Sequence, residues 1–299
     1  MNRLLAFIRL TRPVFLLGPV LLHGLGASMA VRAGAPFSWV LFALGQCMIT
    51  SAQLMTQYAN EFYDQETDRR NSANRTMFSG GSGVLSLGLI SPTMAAVSAM
   101  VCASIATGAA ISIGLFRPPV AILGACMILG GWYYSAPPFK LMSSGWGEMC
   151  ASIIVAVLVP VAGFVLFAGV PNPAVFAVCA PLFCLHMAML LAFEFADFEA
   201  DRDTGKRTLT VRLGRRNAAH LHNASIVIGF GFYGLYRVFA PEWSEPRALV
   251  YAFPIAVWQI VYVRHLARRN WAGSYAILTF GAVLLFSATA GLWFIAYRW

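Results

Sequence analysis

Residues 172–203 read NPAVFAVCAPLFCLHMAMLLAFEFADFEADRD, about twenty positions without an acidic or basic side chain that end in Glu194, Asp197, Glu199, Asp201 and Asp203. A run of that length matches the hydrocarbon thickness of a bilayer when it is helical. The ending occurs twice in the chain. Asn60-Glu61-Phe62-Tyr63-Asp64-Gln65-Glu66-Thr67-Asp68-Arg69-Arg70 aligns without gaps on residues 193–203 at an offset of 133, sharing six of eleven positions. The protein has only 12 acidic residues; four lie in the first copy and five in the second, leaving Glu148, Glu242 and Glu245. So apolar a chain concentrates its carboxylates in two places for a reason that its solubility does not supply.

Working outward, the composition supports a membrane protein. Of 299 residues 59% are hydrophobic and 11% charged, against about 25% charged in soluble domains. Apolar stretches recur at 14–33, 37–59, 92–115, 118–135, 146–169, 172–193, 217–238, 247–265 and 273–296, so the expected fold is an all-α polytopic bundle of about nine transmembrane helices, one domain over residues 1–299. With the N-terminus in the cytoplasm, 16 of the 21 Lys and Arg residues fall on the cytoplasmic side, and only Arg32, Arg117, Arg237, Arg247 and Arg298 fall outside. That is the positive-inside asymmetry. It predicts an integral protein of the bacterial inner membrane with its active site on the cytoplasmic side. The net charge of +9 is thereby topological, and its dispersal among loops argues against a nucleic-acid partner. No cleavable signal peptide is expected. Six cysteines and five histidines, scattered singly, form no ligand set.

The spacing inside the acidic copies carries the chemistry. Asn60, Asp64 and Asp68 recur every four residues, as do Asp197 and Asp201, which places each set on one face of a helix. Like charges at that spacing repel, and a cation between them removes the repulsion. Hard carboxylate and amide oxygens suit Mg²⁺, which substrate phosphates usually complete. The two copies lie four spans apart, so both face the same side of the membrane. A solvated acidic face is the bland alternative, and it accounts poorly for two matching copies. The glycine-rich stretch after Arg75 lacks the GK[ST] ending of a nucleotide loop. Lys206 and Arg207 sit beside the second copy, and the Pro-broken exit Tyr133–Lys140 brings a phenol and an ammonium to the same side.

These residues resemble the UbiA superfamily of intramembrane aromatic prenyltransferases. The resemblance rests on Asn60-x3-Asp64-x3-Asp68 and Asp197-x3-Asp201, with Thr11-Arg12-Pro13, Tyr134-Ser135-Ala136-Pro137-Pro138 and Gly205-Lys206-Arg207-Thr208-Leu209 in support. The run from Gly205 to Gly214 looks most like the dihydroxynaphthoate (menaquinone-pathway) branch. The resemblance implies Mg²⁺ as cofactor, membrane lipid as surroundings, and a polyprenyl diphosphate and an aromatic small molecule as substrates. Asp64, Asp68, Asp197 and Asp201 would be catalytic, with Asn60 and Glu194 completing the metal ligands. Arg12, Asn60, Arg75, Tyr134, Lys140 and Lys206 would contact substrate. Alternative acceptors are 4-hydroxybenzoate, homogentisate, a tetrapyrrole or a lipid. A cation-coupled transporter would place its acids nearer the midplane, and a lipid- or quinone-binding scaffold would need neither Asp pair.

Two positions depart from the family's pattern: Glu61 follows Asn60 where Asp is common, and Phe193 replaces an Asn. Residues 194, 197 and 201 share a helical face, whereas 199 is turned away, so Glu194 is expected to face the site and to ligate the second metal or pair with a base there. Glu194→Gln is then expected to raise the Mg²⁺ concentration needed for half-maximal activity several-fold, with acceptor KM little changed and Glu199→Gln near wild type. A magnesium titration in which both variants match the wild type removes Glu194 from the site.

Overall fold

The computed structural model describes residues 2–71, 74–239 and 246–297; Glu242, Glu245 and Arg298, used above in the charge reading, lie outside them. Among the described residues the chain forms twelve α-helices: α1 (Arg3–Thr11), α2 (Leu17–Arg32), α3 (Trp39–Tyr63), α4 (Gln65–Arg70), α5 (Pro92–Gly114), α6 (Pro118–Ser135), α7 (Gly147–Ile153), α8 (Val159–Ala168), α9 (Pro173–Asp203), α10 (Leu209–Phe239), α11 (Pro246–Arg268) and α12 (Tyr275–Tyr297). A π-helical turn, Ile154–Leu158, joins α7 to α8. Helix starts follow local chemistry. Ser38, Ser91 and Asn172 each accept a backbone N–H of the first turn, and Pro92 and Pro173 occupy first helical positions, where no N–H is missed.

The count of nine spans does not survive. Among the described residues six helical segments are long and apolar enough to cross a membrane: Pro13–Arg32, Trp39–Tyr63, Pro92–Gly114, Gly147–Ala168, Pro173–Asp203 and Tyr275–Tyr297. The other three stretches fall on helices of a different character. α6 opens on two prolines and closes on Trp-Tyr-Tyr-Ser; α10 carries Arg212, Arg215, Arg216 and Arg237; α11 carries Gln259, Arg264, His265 and Arg268. None of the three is apolar enough over its length to be counted with the six, a difference that counting apolar lengths ignores. The protein remains an all-α, multi-pass membrane bundle. Its outer surface shows the reversal expected of one, with Val40, Leu115, Ile122 and Phe280 exposed.

The two acidic copies are built differently. The second runs without interruption through the end of α9. The first is broken: α3 stops at Tyr63, Asp64 caps it with φ −103° and ψ 8°, and the chain re-enters a helix at Gln65. Asn60, Asp64 and Asp68 therefore do not share one continuous helical face. α10 is also interrupted, at Gly214, where φ is 72°.

Away from the acidic end, α2 and α8 touch backbone to backbone. A Cβ on Gly26 would fall onto the Pro160 carbonyl, and one on Gly163 onto the His23 carbonyl. His23, Leu22, Leu25 and Phe164 are buried around this contact. Gly26→Ala is expected to destabilise the purified protein by about 1–3 kcal/mol, the usual cost of overpacking. Thermal unfolding in detergent measures it, and an unchanged midpoint would mean that the helices separate freely.

Candidate active site

One ammonium joins the two acidic copies. Lys206, in the connection between α9 and α10, places Nζ 2.9 Å from Asp64 Oδ2 and 3.7 Å from Asp201 Oδ1, with all three side chains at most 10% exposed. Burial alone lowers a lysine pKa; here the Asp64 and Asp201 carboxylates outweigh it and hold Lys206 above its ordinary value. Asn60 donates to Asp64 Oδ2 at 2.8 Å and lies within 3.2 Å of Ser135 Oγ and 3.1 Å of Met142 Sδ. Asn71 donates to Asp197. Together these groups close the acidic end of a cavity of about 300 Å³ whose deeper walls are apolar, including Ile49, Met127, Val155, Val159 and Leu190.

Asp68 sits under the glycine-rich loop. Gly81 has φ 66°, and a Cβ there would overlap the Asp68 carboxylate, so only bare backbone fits. Burial, reinforced by the charges of Asp64 and Glu61 and opposed by Lys206 and Arg12, pushes the Asp68 carboxyl up to about 7. Glu61 itself is buried and turned to the loop, accepting from Ser82 N at 2.5 Å and Ser82 Oγ at 2.7 Å. The position that departs from the family's pattern thus anchors the loop that covers Asp68.

Asn60, Asp64, Asp68, Asp197, Asp201, Arg12, Tyr134, Glu194 and Lys206 all line this cavity. Arg12 donates to the Phe78 carbonyl at 2.9 Å, and its guanidinium lies 4.4 Å from the centroid of Phe15. Two expected substrate contacts are elsewhere. Arg75 donates to the carbonyls of Gly80 at 2.7 Å and Asp68 at 2.9 Å, fixing the loop and not lining the cavity. Lys140 is exposed, outside the lining. For Arg75 the sequence does not distinguish a base that faces a cavity from one that grips loop carbonyls.

Glu194 accepts from Thr210 N at 3.0 Å, and Glu148 accepts from Leu209 N at 2.8 Å. Two carboxylates of the cavity thus hold the first amides of α10, where the helix dipole favours them, and so fix the strap that carries Lys206. Substitution of Glu194 tests that seat as well as a metal ligand. Glu148 and Asn71 are not among the residues singled out from the sequence. Glu148 had a signal, a solitary acid opening an apolar span; Asn71 had none, since a polar loop residue is ordinary.

The donors suit a hard cation. Six carboxylate- or amide-bearing side chains of the two copies (Asn60, Asp64, Asp68, Glu194, Asp197 and Asp201) face one space, and among the described residues no three Asp, Glu, His or Cys side chains close into a protein-only cage. That donor set fits Mg²⁺ held by one or two carboxylates and completed by phosphate oxygens and water.

The fold and the site together define a multi-pass helical bundle with aspartates of two motifs gathered at the head of an apolar cavity. Residues 20–284 match the UbiA prenyltransferase family, and the chain belongs to that family. It is 27% identical over 220 residues to the chloroplastic chlorophyll synthase of Oryza sativa subsp. japonica, covering 71% of this chain and 56% of that protein. It is 29% identical over 234 residues to the bacteriochlorophyll synthase 33 kDa chain of Cereibacter sphaeroides, covering 72% and 68%. The chain thus spans little more than half the length of the plant relative. Its fold is that of a UbiA homologue from Archaeoglobus fulgidus solved with DMAPP and Mg²⁺, at a TM-score of 0.68 and 18% identity over 96% of this chain and 98% of that one. Nothing in these likenesses singles out the dihydroxynaphthoate branch.

The raised Asp68 carboxyl yields a pH signature. A carboxyl whose folded pKa exceeds its unfolded value stabilises the fold below the unfolded value and loses that contribution as pH rises through the folded one. For Asp68 the window runs from its ordinary value of 3.8 to about 7. Metal-free protein in EDTA is expected to lose thermal stability across this window, with a smaller slope in Asp68→Asn. Equal slopes in the two proteins would refute the assignment.

Proposed function

We propose that this protein transfers a polyprenyl group from an allylic polyprenyl diphosphate to a small-molecule acceptor, with the two aspartate motifs and Lys206 holding the diphosphate end. The observation that carries the reading is the convergence of Asp64 and Asp201 on one ammonium at the head of an apolar cavity. Asn60, Asp64, Asp68, Asp197 and Asp201 would hold Mg²⁺. Bound there, Mg²⁺ supplies the positive charge that a departing diphosphate requires. Lys206 and Arg12 add fixed cationic groups at the same end. Phe78 and Phe193 lie near-parallel with centroids 5.9 Å apart, and Phe15 meets both edge-on. Their π faces attract an allylic cation. The apolar walls exclude the water that would capture it.

For the acceptor we infer a tetrapyrrole carboxylate, the reading supported by the relatives named chlorophyll and bacteriochlorophyll synthase. A carboxylate attacks an allylic cation without losing a proton, so it needs no general base. A cavity of about 300 Å³ takes a prenyl tail and one acidic arm, leaving the macrocycle at its mouth. The dihydroxynaphthoate reading rests on residues 205–214, whose Lys206 is engaged by Asp64 and Asp201.

Radiolabelled geranylgeranyl diphosphate with purified protein, offered a magnesium chlorin bearing a free propionate or dihydroxynaphthoate, tests both parts. Product is expected with the chlorin, dependent on Mg²⁺. Asp64→Asn and Asp201→Asn are each expected to lower turnover by about 100-fold or more, the scale of losing a transition-state charge contact, with the protein still folded. Product with dihydroxynaphthoate alone reverses the acceptor assignment; near-normal turnover in both variants removes the diphosphate site.

A further inference from the structure

α1 carries two apolar faces. Ala6 and Leu10 are buried in a cluster with Tyr58, Ala59, Val84 and Ile90. Leu4, Leu5 and Ile8 are 64%, 56% and 46% exposed. Helical spacing accounts for the split, since Leu4 and Ile8 share one face and Ala6 and Leu10 another. The helix does not run on into the membrane. Arg12 takes a left-handed conformation, φ 47°, and Pro13 opens a new helical segment, the start of the span Pro13–Arg32. Val14 and Leu17, at the head of that span, continue the exposed apolar surface. Nine residues are too few to cross a bilayer. An outward apolar face on so short a helix, beside the head of a span, finds apolar surroundings at the bilayer surface.

Charge selects the kind of surface. Arg3 and Arg9 are exposed on α1, and no Asp or Glu precedes Glu61 in the chain. A helix with outward leucines and unopposed bases is complementary to a layer of anionic headgroups.

The same helix holds the glycine loop. Arg9 Nε donates to the Ser82 carbonyl at 2.9 Å, and Leu10 packs in one cluster with Val84. Thr11 Oγ1 lies 3.0 Å from the Tyr58 hydroxyl, fixing the end of α1 to α3. Ser82 follows Gly81, whose bare backbone covers Asp68, and its own N–H and hydroxyl are held by Glu61. One loop residue is thus gripped by the buried acid on one side and by α1 on the other.

We propose that α1 lies on the bilayer surface, with Leu4, Leu5 and Ile8 in its apolar margin and Arg3 and Arg9 on anionic lipid headgroups, and that this seating steadies the glycine loop over Asp68. The partner is the anionic lipid surface itself. Bilayer charge then sets how often the acidic centre opens, whatever substrate the cavity takes.

The test is hydrogen exchange of the full-length protein in liposomes of phosphatidylcholine with and without phosphatidylglycerol. In the anionic bilayer the amides of residues 76–86 are expected to exchange about tenfold more slowly, the scale of two bases held near an anionic surface. Added salt is expected to shrink the difference by screening. Equal exchange in the two bilayers, or a difference that salt leaves unchanged, overturns the proposal. Leu4→Ser, Leu5→Ser and Ile8→Ser combined alter only exposed positions, and the loop of this variant is expected to exchange at the neutral-bilayer rate in both liposomes. A difference kept in full by the variant also overturns it. A second measurement locates the helix: with Leu5 replaced by p-benzoylphenylalanine, irradiation in the anionic liposomes is expected to give lipid adducts. Adducts to a second copy of the chain instead make this face a protein interface and overturn the lipid assignment.

Discussion

Two aspartates from distant parts of the chain stand close to each other because a single lysine stands between them. At the end of an apolar bundle, Asp64 and Asp201 would repel strongly without a cation, since low-polarity surroundings amplify every charge. Lys206 meets both within 3.7 Å, and much of the nearby structure keeps it there. Thr204 on the same strap pairs its hydroxyl with Thr67 at 3.2 Å, Arg70 donates to the Asp203 carbonyl at 3.0 Å, and Arg207 N donates to the Ser143 carbonyl at 3.0 Å. Glu148 and Glu194 seize the amides that follow. The strap and the start of α10 are tied to α4, to the segment carrying Ser143, to α7 and to α9.

Such a site is prepared for exchange of cations. An ammonium already occupies the electrostatic position that a substrate's counterions would share, so the protein folds with its carboxylates together. A lysine ammonium is also compact and carried on a flexible stem, so it can move once the carboxylates are otherwise satisfied.

The sequence made the architecture and the acidic centre legible for definite reasons. Apolar runs of membrane length announce helices directly, and the duplicated acids announce two matching sites. That they share one location is shown by the structure, since the four-span offset expected from the sequence does not hold among the six described spans. The count of spans was not legible, because α6, α10 and α11 are long helices whose apolar content falls short of the other six, a difference that reading apolar runs by length does not register. Nor was the break at Asp64, since four-residue spacing looks the same in one helix and in two that meet at a cap. Arg75 had the right charge near the right loop, and no sequence spacing distinguishes a side chain that faces a cavity from one that grips a carbonyl; Lys140 had the charge and stands exposed beside α6. Glu194 faces the cavity, yet its visible partner is a backbone amide sixteen residues on, a contact outside any helical period.

The glycine loop has a bearing on heredity. Gly81 admits no side chain over Asp68, Glu61 holds the loop at Ser82, and Arg75 holds it at Gly80. Substitution at any of these three positions is therefore expected to disturb the cover over Asp68. In a collection of random variants, null alleles would cluster in a stretch that looks like an ordinary glycine-rich connector.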